Sequence, residues 1–302
     1  MNSSLRPPIF IGGTGRSGTT ILTRLLQNHP DIHTIKWESQ FIVANNGLLE
    51  LINANEKDRL TKFDKFKFLM DTHWFERVVN KGLDNEYKAG LVADVSRAKI
   101  EELYELLSEA IKQKQDMKEP KFIRGCVNKV FSQSAIINQA NRWCEKTPSN
   151  ILYAKELKRI YPNMKFVNII RDGRDVVSSV MKRKFWPVAA NNNFEFTSDF
   201  RGKHTVRKVA EYWKTLTTYS DLIAQDIGSS NFIEIRLEDL VKKKKEVLEN
   251  LFDFLGHDLN DNVLNFDLTR SNIGRYKDDM TSDEISTMTQ IMYEALGSKG
   301  YL

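Results

Sequence analysis

Residues 9–13 read "IFIGG", an unbroken apolar run closed by two glycines, the pattern of a strand buried on both faces. Ile21, Leu22, Leu25 and Leu26 then recur at helical spacing, and "NHPD" stops that helix. Helical patterns occupy most of residues 39–116. "RWCEK" (142–146) predicts a short strand, and "TPSNILYAKELKRIYP" a helix opened by Thr147 and Pro148. "KFVNII" (165–170) predicts a second buried strand, and "RDGRDVVSSVMKRK" turns into a helix. Residues 185–203 are the most loop-like stretch, and a long helix follows through "VRKVAEYWKTLTTYSDLIAQD". "NFIEIRL" (231–237) predicts another strand, "KKKKEVLENLFDFLG" a helix, and "SNIGRYKDDMTSDEI" a loop running into the last helix. Strands alternating with helices predict an α/β fold, a parallel sheet covered by helices. With no repeat, linker or boundary in view, a single domain over 1–302 is expected.

Composition narrows the class. At 302 residues a sizeable core is affordable, and 41% hydrophobic with 28% charged residues is ordinary for a globular chain. The net charge of +5 points weakly to anionic ligands, a polyanionic cofactor or nucleic acid among them. Aromatic and basic residues are not interleaved, so a nucleic-acid partner is not expected. Cys126 and Cys144 have no metal-type spacing and read as free thiols; no metal is expected. The short lead into the first strand leaves no room for a signal peptide, and no apolar run approaches the ~18 residues of a membrane span. A cytoplasmic protein is therefore expected.

The candidate chemistry begins at "GTGRSGTT", which lies between a predicted strand and a predicted helix. Gly13, Gly15 and Gly18 let the backbone turn sharply and come close to a ligand. The N–H groups of Ser17, Gly18, Thr19 and Thr20 then face an anion at a helix start, and both threonines add hydroxyl donors. Gly13 and Gly18 have the spacing of a nucleotide-hydrolysing phosphate loop. The lysine such enzymes place next is replaced by Thr19, while a cation, Arg16, sits inside the loop. The loop is thus expected to grip an anion without a metal.

A second anion site is predicted after "KFVNII". Arg171 falls at the carboxyl end of a strand, where ligands of open α/β sheets bind. Ser179 and Arg183, four residues apart, are expected on one face of the following helix. Together the three make a clamp for a terminal phosphate. The competing structural reading is local pairing of Asp172 with Arg174.

"RSGTT" after the first strand, with Arg171-x₇-Ser179 after a middle one, resembles the sulfotransferases that use 3′-phosphoadenosine 5′-phosphosulfate (PAPS) and release PAP. Arg183 looks like the tyrosylprotein and carbohydrate branches. "WCEKTPSN" is similar to a strand-end lysine motif, and "SNIGRYKDDMTSDEI" resembles a cofactor-covering loop that would bring in Ser271, Arg275 and Lys277. The resemblance implies a P-loop-like three-layer fold with a helical substrate-side insertion around 41–120. It also implies a 5′-phosphosulfate on the first loop and a 3′-phosphate at Arg171, Ser179 and Arg183. "KWESQFI" resembles the segment that supplies a glutamate base, which points to Glu38. Lys146 would stabilise the leaving phosphate oxygen, and Arg16 the 5′-phosphate and sulfonate. The acceptor would be a hydroxyl, on a saccharide by preference, or on tyrosine or a small alcohol. Where the tyrosylprotein branch has a cofactor-contacting tyrosine, this chain has Arg236.

Other residues have plainer readings. His29 and His33 stand near the first loop and are minor candidates for the base. Trp213 is expected in the core, and Lys242–Lys245 on a solvated helix face. Phe41, Trp74, Phe185 and Trp186 are either core or an acceptor platform. Two alternatives stay open: a nucleotide kinase or hydrolase, and a protein that binds PAP or PAPS without catalysis. Oligomeric state is not legible.

Overall fold

The computed structural model describes residues 5–36, 38–72, 95–183, 204–269 and 272–302. In chain order, β1 is Ile9–Gly13, α1 Thr19–Leu26, β2 Ile32–Thr34, α2 Leu48–Asn53, α3 Arg59–Met70, α4 Arg97–Lys112, α5 Pro120–Ile137 and β3 Arg142–Lys146. There follow α6 Ala154–Ile160, β4 Lys165–Ile170, α7 Gly173–Met181, α8 Val206–Ile227, β5 Phe232–Arg236, α9 Leu237–Lys242 and α10 Lys244–Leu255. The last are α11 Asp261–Leu264, α12 Tyr276–Asp279 and α13 Ser282–Ser298. The five strands form one sheet in the order β2-β3-β1-β4-β5, flanked by helices, and β2–β3 and β4–β5 pair in parallel. This is the predicted α/β class. Among the described residues no helix is long and apolar enough to cross a membrane.

The chain divides into two compact units. The first takes Met1–Phe10, His29–Thr147 and Glu156–Met164. An aromatic chain fills its core: Phe41 packs on Phe66 and Phe131, Phe131 on Trp143, and Trp143 on Phe10 and Tyr161, with centroids 5.1–5.8 Å apart. Each such fully buried ring contributes roughly 1.5–3 kcal/mol through area removed from water. Phe41 is thus core, not platform. Cys126 and Cys144 are buried free thiols in this unit.

The second unit takes Ile11–Asn28, Pro148–Lys155 and Lys165–Leu302. Phe166 and Phe232 stack across β4 and β5 at 5.7 Å, and Trp213 is fully buried on α8. Gly173 opens α7 against that ring; a Cβ there would meet Trp213 Cδ2 and Met292 Sδ at 2.6 Å.

Three elements differ from expectation. "TPSNILYAKELKRI" begins as a 3-10 turn, Pro148–Tyr153, because the Asn150 side chain leaves the helix pattern and donates to the Ile11 carbonyl at 3.0 Å. The lysine run does not lie within one helix. The chain breaks at Lys243 (φ −125°), so Lys242 ends α9 and Lys244 opens α10, where it donates to the Phe266 carbonyl at 2.5 Å. "RDGRDVVSSVMKRK" is helical only to Met181: Lys182 and Arg183 are exposed, and Arg183 N–H closes a tight turn on Val180 O at 2.8 Å.

Candidate active site

The first loop sits between β1 and α1 in the second unit. Gly13 must be glycine, since a Cβ would lie 2.6 Å from both the Ile169 carbonyl and the Ser17 hydroxyl. Gly15 (φ 76°) and Gly18 (φ 104°) take left-handed backbone, and so does Arg16 (φ 57°), a conformation a residue with a Cβ holds only when its surroundings impose it. Ser17 is fully buried and its hydroxyl has no partner, an orphaned donor inside a loop whose helix carries no acidic residue in its first turn. Thr19 is buried and Thr20 exposed. Orphaned donor, glycine turn and helix N-terminus together describe an anion cradle.

Arg171 follows β4 directly and is 7% exposed. It donates from NH1 to the Arg16 carbonyl at 3.2 Å, donates from NH2 to the Asn272 carbonyl, and lies 3.5 Å from Asp175. Its Nε is buried without a partner. Its own carbonyl accepts from Trp213 Nε1 at 3.1 Å, so the buried tryptophan holds the strand end in place. Ser179 on α7 accepts from Arg16 Nε at 3.0 Å. The fold thus joins the two sites that the sequence placed 163 residues apart. Asp172 also pairs with Arg174, Nε at 3.0 Å and NH2 at 2.7 Å. The local pairing therefore involves Arg174 and not Arg171.

The expectation that Arg183 shares a helix face with Ser179 is corrected by the end of α7 at Met181; Arg183 is exposed in the turn beyond it. Arg275 and Lys277 are exposed at α12, with Arg275 Nε 3.7 Å from Asp279. Ser271, Trp74, Phe185 and Trp186 lie outside the described residues. Arg236 stacks over the Tyr301 ring at 4.4 Å and donates to the Gly300 carbonyl at 2.8 Å. Tyr301 in turn donates to the buried Glu238 at 3.0 Å, and that carboxylate also accepts from Asp172 N–H at 3.0 Å. Burial pushes the Glu238 carboxyl above the ordinary glutamate range.

The remaining candidates lie in the first unit. Lys146 ends β3 with its side chain 6% exposed, and its Nζ stands 3.6 Å from Glu38 Oε1. Its chain neighbour Glu145 points to the opposite face of the strand. Glu145 accepts from Ser39 Oγ and Thr147 Oγ1, both at 2.7 Å. Through Ser39 it fixes the segment that carries Glu38. The sequence reading passed over Glu145, whose polar neighbours at 39 and 147 were the available signal. His33 is engaged with Ser134 at 2.7 Å, and His29 Nδ1 accepts from Asp31 N–H at 3.2 Å, so both have structural work.

An α/β sheet with a glycine-rich loop after its first strand and a buried arginine after a middle one is an arrangement able to hold an anion. The pattern that defines the Sulfotransferase family matches residues 7–261, and the chain belongs to that family. It is 24% identical over 258 residues to a protein-tyrosine sulfotransferase of Drosophila melanogaster, covering 85% of this chain and 40% of that one. It is also 24% identical over 278 residues to protein-tyrosine sulfotransferase A of Caenorhabditis elegans, covering 90% and 57%. The chain thus spans about half the length of these relatives. Among solved structures, a sulfotransferase domain from the curacin biosynthetic pathway superposes with a TM-score of 0.51 at 17% identity, covering 99% of each chain. A sulfotransferase from Mycobacterium avium gives 0.50 at 14%, covering 98% and 78%. These two agree in fold.

Proposed function

We propose that the protein transfers a sulfuryl group from PAPS to an acceptor hydroxyl, releasing PAP. The observation that carries this reading is the buried Arg171 with its unpartnered Nε, tied to the loop that contains the orphaned Ser17 hydroxyl. Both donors suit phosphate oxygens. When bound, the donor supplies a sulfuryl group on a phosphate leaving group. In this reading Gly15, Ser17, Gly18, Thr19 and Thr20 hold the 5′-phosphosulfate, and Arg16 balances its charge. Arg171 and Ser179 hold the 3′-phosphate, with Arg183, Arg275 and Lys277 as outlying cations. Glu38 takes the acceptor's proton as its oxygen bonds to sulfur, and Lys146 stabilises the oxygen released as the sulfur–oxygen bond breaks. These charged side chains leave the reading with no need of a metal.

The names of the relatives shift the acceptor reading from saccharide to a peptide tyrosine. Both groups present a hydroxyl, and a panel of tyrosine peptides and oligosaccharides separates them. The site itself is tested by calorimetric titration with PAP, 5′-AMP and ATP, on the natural chain and on Arg171→Ala. Tight PAP binding, weakened when the 3′-phosphate is absent and at least about tenfold weaker in the variant, is expected. ATP bound as well as PAP, with Arg171 irrelevant, would put a kinase first.

A further inference from the structure

Asp175 lies in the first turn of α7, four residues after Arg171, and its side chain is fully buried. A buried carboxylate is costly unless several donors converge on it. Three do: Gly274 N–H at 2.7 Å on Oδ2, Tyr276 N–H at 3.0 Å on Oδ1, and the Arg171 guanidinium at 3.5 Å. The two amides belong to the segment that runs into α12, and Arg171 also donates to the carbonyl of Asn272 in that segment. A second anchor lies further along. Asp279 Oδ2 receives Ser178 Oγ at 2.9 Å and the Lys182 ammonium at 2.5 Å. Asp175 and Ser178 are three residues apart on one side of α7, and Lys182 caps its end. One side of a single helix therefore grips residues 272–279 at both ends, and its deepest contact is shared with the arginine.

We propose that Asp175 is a positioning residue for the terminal-phosphate site: it sets the Arg171 guanidinium and seats residues 272–279 beside it. The inference rests on Arg171 being that site. An arginine held by a buried carboxylate keeps one orientation, and phosphate recognition depends on orientation as well as charge. The carboxylate also ties the segment's order to that of the arginine, because losing either donor set leaves the other facing a charge that is no longer balanced.

The test is Asp175→Asn, which keeps the shape, accepts one amide and cannot pair with Arg171. The readout is the ratio of PAP to 5′-AMP affinity by calorimetry, with amide hydrogen exchange at Gly274 and Tyr276. We expect the ratio to fall about tenfold to a hundredfold while 5′-AMP affinity holds, with faster exchange at both amides. An unchanged ratio, or equal loss of both ligands, would overturn the proposal. If Asp175→Asn does not fold, Asp279→Asn carries the test. It opens only the outer anchor, so a fall in the ratio of a few fold with faster exchange over 272–279 is expected; no change in either would count against the clasp. Should Arg171→Ala also leave PAP binding intact, the site assignment fails rather than the positioning role.

Discussion

Lys146 at the end of β3 and Arg171 after β4 are alike at first sight: each is a buried cation at the carboxyl end of a strand, 3.5–3.6 Å from a carboxylate. The carboxylates differ. Asp175 is fully buried and accepts two backbone N–H groups, so its oxygens are committed to the fold. Glu38 is 39% exposed and can be reached by an acceptor. Two ion pairs of equal length thus serve opposite ends. In the proposed reading, one is a fixture that orients a binding arginine, and the other brings together two groups that act on a substrate.

The largest effect expected from this contrast is in turnover. Glu38→Gln should lower the rate of sulfuryl transfer by about 10²–10⁴ while PAP binding stays intact, as measured with PAPS and an accepted hydroxyl. Full activity in that variant would make Glu38 as structural as Asp175 and dissolve the contrast. Next comes the rigidity behind Arg171. Gly173→Ala would drive a Cβ against Trp213 and Met292, displacing the ring that fixes the Arg171 carbonyl. A loss of about 1–3 kcal/mol in urea unfolding, together with weaker PAP binding, is expected. A neutral result would mean that the strand end tolerates movement.

The smallest effect concerns pH. Burial raises the Glu238 carboxyl, so the folded chain holds that proton more tightly than the unfolded one does. The contribution of this group is fully present below the ordinary glutamate range and is lost as pH rises through the folded value. Glu238→Gln should therefore lose less stability than the natural chain as pH rises above the ordinary glutamate range. A parallel pH dependence in the two would show that Tyr301 and the Asp172 amide already cancel the effect of burial.

Much of this was legible in the sequence because it rests on local pattern. β1 and β4 begin and end close to where their apolar runs do, since strands buried on both faces have little polar alternation to blur their ends, and β3 fills the predicted segment 142–146 although three of its five residues are charged. Gly13, Gly18, Arg171 and Ser179 could be read for the same reason: each sits at a fixed offset from such a strand. What escaped depends on partners distant in sequence. Asp175 looks like any acidic residue in a helix's first turn until the amides of 274 and 276, about a hundred residues on, are brought to it. Glu145 needed Ser39, and Asn150 needed the Ile11 carbonyl. The end of α7 at Met181 comes before Pro187 and is marked in the sequence only by the short charged run Lys182, Arg183 and Lys184.

The two cysteines carry a practical consequence. Both lie in the first unit, the second contains none, and burial lifts the Cys126 thiol to about 12 and that of Cys144 higher still. Neither sulfur reacts while its surroundings stay closed, because the thiolate is the reactive form and almost none exists. An alkylating reagent applied to the native protein therefore acts as a clock for one half of the molecule. The rate at which label accumulates measures how often the first unit opens, with no signal from the unit that holds the phosphate loop.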